Sequence, residues 1–340
     1  MQYRNFGSTG IKVSNLCLGA MMFGTFGNPD HEDSIGIIHA ALDAGINFVD
    51  TADMYSAGES EEIVGKALQG RRDDVILATK VFMPMSRDRN HRGNSRRWII
   101  RECEDSLRRL QTDWIDLYQV HRPDVYTNID ETLGALSDLI HQGKVRYIGS
   151  STFPSEEIVE AQWVAERRGR ERFISEQPPY SIFARGIEAG ILPVCQRYEM
   201  GVLTWSPLNS GWLTGRYRSG ATADPEGRSA RTPEQFDPAV ETNQRKLALV
   251  DELLALSEDV GAPLVHVALA FVLRHPAVSA AIIGPRTMEQ LVSQLPASDL
   301  VLDNATMDRI DALVPPGTNV STDDAGHVPP SIASSWRRRR

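Results

Sequence analysis

Asp50 ends the apolar run Phe48-Val49, Tyr55 follows just beyond it, Lys80 closes "DVILATK" and His121 closes "WIDLYQVH". A carboxylate at the mouth of an apolar strand loses hydration worth on the order of several kcal/mol unless a partner compensates it. Lys80 would be that partner, and an ammonium near a phenol favours the phenolate and lowers its ordinary pKa of about 10. His121 can donate a hydrogen bond to a substrate oxygen or relay a proton. Together the four suit protonation of a carbonyl oxygen while another agent supplies a nucleophile to its carbon. Taken singly, Asp50 reads as a turn acid, Tyr55 as a half-buried tyrosine, Lys80 as a charged strand end and His121 as a satisfied structural imidazole. Their conjunction at successive strand ends favours the catalytic reading.

Such residues need a scaffold that gathers strand ends. After a hairpin in "MQYRNFGSTGIKVS", short β-rich runs alternate with helical text: "NLCLGA" then His31 to Ala44, "NFVDTA" then Glu61 to Gln69, "DVILATKV" then Arg96 to Leu110. The pattern continues with "WIDLYQVH" and Glu131 to His141, "VRYIGSSTF" and Ser155 to Arg168, and "FISEQPPY" and Gly190 to Tyr198, and "GVLTWSPL" and "SAAIIGP" are each followed by helical text. Ile99, Ile100, Cys103, Leu107 and Leu110 recur at helical spacing, as do Leu133, Leu136 and Ile140. Alternation of this kind implies parallel strands, and eight repeats imply an α/β (β/α)8 TIM barrel with an N-terminal β-hairpin and extra C-terminal helices. The rival, a doubly wound dinucleotide fold, lacks its G-x-G-x-x-G after any strand. One barrel is expected over residues 1–315, with residues 316–340 as a partly disordered extension. The Gly- and Pro-rich stretch from Gly215 to Pro238 reads as a structureless insert, either a lid at the top of the seventh strand or a disordered segment.

In a barrel the C-terminal strand ends open on one face, so Asp50, Lys80, His121, Ser151 with Thr152, Gln177, and Ser206 after Trp205 would share a pocket. Net charge is −9 with Lys and Arg dispersed, which argues against a nucleic-acid surface. The one basic run, Arg337 to Arg340, reads as a solvated tail. No apolar run approaches the ~18 residues of a membrane span, and "MQYRNFGSTG" is no signal peptide. Cys17, Cys103 and Cys195 have neither metal-like nor disulfide-like spacing and suit a reducing cytoplasm; no metal site is expected.

The ordered segments "DTADMYSAGESEEIVGKAL", "ATKV", "YQVHRPD", "YIGSSTF", "EQPPY" and "WSPLNSGWLTGRY" resemble the aldo-keto reductase superfamily, and the similarity runs from the hairpin to about Val314. The resemblance implies reduction of a small-molecule aldehyde or ketone, a cofactor that is NADPH rather than NADH, and a catalytic tetrad of Asp50, Tyr55, Lys80 and His121 with Tyr55 as general acid. It assigns Ser151 and Gln177 to the nicotinamide carboxamide, with Thr152 where the family more often has Asn, and Trp205 to the ring face. Ser206, Pro207, Leu208, Ser210 and Gly211 match the pyrophosphate loop. "GPRTMEQLVSQ", opening at Gly284, matches the adenosine grip, with Arg286 on a 2′-phosphate and Gln290 and Gln294 on ribose or adenine. Gln290 stands where several branches carry Arg, and Met22 is expected at the cofactor site. The alternative is a cofactor-bound regulatory or interaction protein, as in channel β-subunit relatives of the superfamily. Substrate identity and oligomeric state are not legible.

Overall fold

Strands buried on both faces need layers on both sides, and the computed structural model, which describes residues 1–218 and 228–327, supplies them. Eight parallel strands close a barrel: β3 (Leu16–Gly19), β4 (Phe48–Asp50), β5 (Ile76–Val81), β6 (Ile115–Val120), β7 (Val145–Ser151), β8 (Ser175–Gln177), β9 (Gly201–Thr204) and β10 (Ala280–Ile283), with β10 returning to β3. An antiparallel hairpin, β1 (Tyr3–Asn5) and β2 (Lys12–Ser14), precedes them, pairing Tyr3 with Ser14. Phe6 and Val13 from this hairpin pack with Cys17, Phe48, Ala78, Leu117 and Leu203 inside the barrel's N-terminal end. A side chain at Gly201 would put its Cβ 2.7 Å from the Phe6 ring, so glycine is required where the stopper meets the wall.

The surrounding helices are α1 (His31–Asp43), α2 (Glu59–Ala67), α3 (Arg96–Leu110), α4 (Ile129–His141), α5 (Ser155–Arg168) and α6 (Ile191–Arg197), then α7 (Arg228–Arg231), α8 (Glu241–Val260), α9 (Leu264–Arg274), α10 (Met288–Gln294) and α11 (Asn304–Leu313). Side-chain caps fix several starts: Asp30 accepts from Asp33 N, Ser95 from Trp98 N and Asn128 from Asp130 N. The helix expected from Glu61 begins instead at Glu59, because Gly58 at φ 99° turns the chain there. Glu59, Glu61 and Glu62 then occupy the first turn, where the helix dipole favours acids.

The insert expected to lack structure is ordered at its described flanks. α7 and a 3-10 turn at Pro233–Phe236 follow residues 219–227, which lie outside the described residues. Phe236 stacks on Trp212 at 5.0 Å and meets Tyr217 at 4.4 Å, an aromatic cluster that ties the excursion to the loop after β9. The C-terminal extension folds back as far as it is described: Val320 N donates to Phe183 O, and a side chain at Gly326 would collide with the Trp205 indole. Arg337 to Arg340 lie outside the described residues. Among the described residues no single helix is long and apolar enough to cross a membrane; α8 and α9 pass only as a pair bent by 87°.

Candidate active site

Register brings β4, β5, β6 and β8 to one point. Lys80 Nζ donates to Asp50 Oδ2 at 2.5 Å and to Thr51 O at 2.8 Å. Gln119 Nε2 and Gln177 Nε2 both donate to Asp50 Oδ1, at 3.0 and 2.8 Å. Lys80 is 0% and Asp50 2% exposed. Burial is the largest single influence on Lys80 and disfavours the ammonium, but Asp50 and Tyr55 together outweigh it and hold the pKa above its ordinary value. The cation is therefore permanent, aimed, and compensated by one acid.

Tyr55 reaches this cation from the loop after β4. Its hydroxyl lies 3.4 Å from Lys80 Nζ, and its ring meets His121 edge to face at 6.0 Å. The loop is left-handed at Ser56 and Ala57 (φ 49° and 56°), a conformation that costs about 1 kcal/mol or more per residue away from glycine. Ties to the β3–α1 loop hold it there: Phe26 N donates to Ser56 Oγ, Ser56 Oγ to Phe23 O, and Thr25 N to Glu59 Oε2. One expectation is overturned. The phenol was expected to have a lowered pKa, but burial raises it by more than Lys80 lowers it, so Tyr55 holds its proton more firmly than a free tyrosine. His121 is pushed well below its ordinary range by burial, then by Lys80 and Arg122, and stays neutral.

Around this centre, Ser151 Oγ donates to Gln177 O at 2.9 Å and lies 3.4 Å from Thr152 Oγ1. After Trp205 the chain is left-handed at Ser206, Asn209, Ser210 and Gly211, and Ser210 N donates to Ser206 Oγ at 3.0 Å. Pro207 is buried and Leu208 packs against the core, so that loop is anchored from beneath. Arg286 follows Gly284 after β10; its backbone N donates to Gln290 Oε1 at 2.8 Å and its carbonyl accepts from Asn28 Nδ2. Asn28 N in turn donates to the carbonyl of Met22, which brings the β3–α1 loop beside Arg286. Gln294 Nε2 donates to Gln290 O, so Gln290 ties the start of α10 and Gln294 its last turn.

The chain matches the Aldo/keto reductase family over residues 15–315. It belongs to that family. It is similar to an uncharacterized oxidoreductase of Bacillus subtilis, with 40% identity over 93% of this chain and 96% of that protein. It is also similar to a probable voltage-gated potassium channel subunit beta of Oryza sativa (36%, covering 92% and 97%) and to an aldo-keto reductase of Alternaria alternata (33%, covering 91% and 90%).

Aldo/keto reductases use nicotinamide cofactors, and the residues here fit one. Left-handed backbone at Ser206, Asn209, Ser210 and Gly211 folds this loop into a tight turn beside Trp205, where the Trp205 Nε1–H is buried without a partner among the described residues. Further out, burial and then Arg286 lower the pKa of Arg231, so the two guanidiniums lie within reach of each other's charge.

Three features of this aldo/keto reductase escaped the sequence reading. Gln119 orients Asp50 although it carries no charge to announce it. Arg122 follows His121 in "HRPD", and its Nη1 donates to Thr152 Oγ1 at 2.9 Å. Glu176 lies wholly buried behind Gln177; it accepts from Ser150 Oγ at 2.5 Å and Phe153 N at 3.1 Å, yet burial pushes its pKa up to about 7. A charged residue between the inward-facing neighbours of β8 was the available signal, because strand alternation turns it towards the helices. Glu176 thereby braces Thr152, whose φ is 60°.

A second buried ionic group lies behind Tyr55, between α2 and α3. Arg109 Nε donates to Glu61 Oε2 at 2.6 Å and Arg109 Nη2 to Glu102, while Thr79 Oγ1 donates to Glu61 Oε1 at 2.5 Å. Asp53, 0% exposed, is raised well above the carboxylate range by burial, then by Glu61 and Glu102.

Proposed function

We propose that this oxidoreductase reduces an aldehyde or ketone to an alcohol, with NADPH as hydride donor and Tyr55 as general acid. The observation that carries the reading is a tyrosine hydroxyl 3.4 Å from a lysine that is itself held at 2.5 Å by a buried aspartate, beside a neutral histidine at the barrel mouth. Trp205 would hold the nicotinamide ring, which would supply the hydride for the carbonyl carbon. The chain does the rest. Ser151, Thr152 and Gln177 orient the carboxamide, His121 steadies the substrate oxygen, and Tyr55 passes its proton to that oxygen as the new C–H bond forms. A phenol that is protonated at neutral pH is the correct starting state for an acid, and Lys80 stabilises the charge left on its oxygen.

Arg286, with Arg231 nearby, supports the choice of NADPH, since guanidinium matches phosphate bidentately. Ser206, Pro207, Leu208, Ser210 and Gly211 would carry the pyrophosphate, and Gln290, Gln294, Gly284 and Met22 the adenosine half. Residues 1–315 act as one unit in this reading, with 316–340 as its extension. The three free buried cysteines are in keeping with a cytoplasmic setting.

The test is loss of reduced-nicotinamide absorbance on mixing the protein with NADPH or NADH and a panel of aldehydes and ketones. Tyr55→Phe should keep the quenching of tryptophan by NADPH and lose turnover on the order of a thousandfold. Equal turnover in the variant would remove Tyr55 from the acid's role. The relatives named as channel β subunits favour a second reading, a cofactor-holding regulatory protein. Quenching by NADPH with no carbonyl reduced would select it.

A further inference from the structure

Beside Tyr55 and His121 stands a cation that the proposed chemistry does not use. Arg122 leaves β6 directly after His121, and only one nitrogen of its guanidinium is engaged: Nη1 donates to His121 O at 2.8 Å and to Thr152 Oγ1 at 2.9 Å. The guanidinium carbon lies 5.9 Å from the centre of the Trp205 ring. Nε and Nη2 hydrogen-bond to none of the described residues, and no described carboxylate forms an ion pair with Arg122. Burial lowers its pKa, as expected of a charge held without full compensation, while Tyr55 and Glu176 pull the other way. Its field reaches Tyr55 and His121 on one side and His327 of the C-terminal segment on the other. Arg122 thus stands next to His121 and close to the Trp205 ring, among the residues assigned to the site.

An uncommitted Nε and Nη2 make a planar two-pronged donor, the geometry that fits two oxygens of one acid group. Resting on the carbonyl-reductase reading, we propose that Arg122 selects substrates that carry a carboxylate besides the reacting carbonyl, binding that carboxylate through its Nε and Nη2 edge. A monoanion matches the charge on offer: Lys80, the next cation inward, is already balanced by Asp50, so nothing would neutralise the second charge of a phosphate.

The full-length protein with NADPH is assayed on 2-, 3- and 4-formylbenzoate, each against the uncharged formylbenzamide of the same substitution. At least one acid should exceed its amide in kcat/KM by about tenfold or more, mainly through KM, as a charge-assisted bidentate contact would give. Arg122→Gln should collapse that ratio towards one, and Arg122→Lys should restore part of it. In the parent, added salt should erode the acid's advantage and leave the amide's rate alone, a readout that needs no variant to fold. Reduction of the amides with no preference for any acid overturns this proposal alone. A ratio unchanged in Arg122→Gln, with NADPH binding weakened instead, also overturns it by assigning the residue to the cofactor. Reduction of neither set overturns the carbonyl-reductase reading and this proposal with it.

Discussion

Asp50 and Asp53 lie on one short stretch of chain, both buried, and only Asp50 has a cation of its own. Lys80 meets Asp50 at 2.5 Å, and its ammonium is favoured in a group that opens on Tyr55. Asp53 shares Arg109 with Glu61 and Glu102, so acids outnumber bases and a proton must be retained somewhere in the group. Asp53 is the member pushed well above the ordinary carboxylate range, with burial the largest cause and no direct ion pair to compensate it. Balanced charge gives a field fixed in direction, which chemistry can use. Surplus acid gives a group that favours protonation and holds the chain locally, with Asp53 Oδ1 accepting from Met54 N.

Breaking the balanced pair should have the largest effect. Lys80→Met leaves Asp50 buried without its cation, and turnover should fall on the order of a thousandfold while stability drops by roughly 3–5 kcal/mol; rates and urea midpoints measured together would show both. Arg109→Met should cost about 3 kcal/mol by denaturant titration, since it strands Glu61 and Glu102, yet shift kcat/KM of the folded fraction only a few-fold. If both variants lose turnover equally, the distinction between a working and a bracing cluster is wrong.

Glu176→Gln sharpens the comparison through pH. Its folded pKa of about 7 lies above the ordinary 4.5, so its stabilising contribution is complete below 4.5 and is lost as pH climbs through about 7. Between about pH 5 and about pH 8 the parent should lose on the order of 2 kcal/mol more stability than the variant. Asp53→Asn should do least. Because burial and the neighbouring acids favour the protonated carboxyl, the amide should change stability by less than about 1 kcal/mol near neutral pH, and the variant should gain on the parent as rising pH ionises Asp53. A large loss at neutral pH would mean that Asp53 is charged there.

Much of this was legible because barrel topology is a rule about strand ends. Periodicity located α3 and α5 at their observed limits, and once eight strands close, Asp50, Lys80, His121 and Gln177 converge whatever the loops do. The direction of the Tyr55 shift was not legible, since a sequence shows which charge is near but not how much water has been removed. Nor was the support behind the first layer: Gln119, Glu176 and the Asp53 group act through side-chain geometry that alternation only hints at. Gln290 shows the same limit from the other side, because its carbonyl oxygen is occupied in holding the Arg286 backbone.

The plug formed by Phe6 and Val13 has a kinetic corollary. A cylinder stoppered at its base has a single doorway, so two molecules that must meet inside cannot approach from opposite ends. If the proposed cofactor lies deeper than the carbonyl, it would have to enter first and leave last, an order set by a hairpin that touches neither visitor.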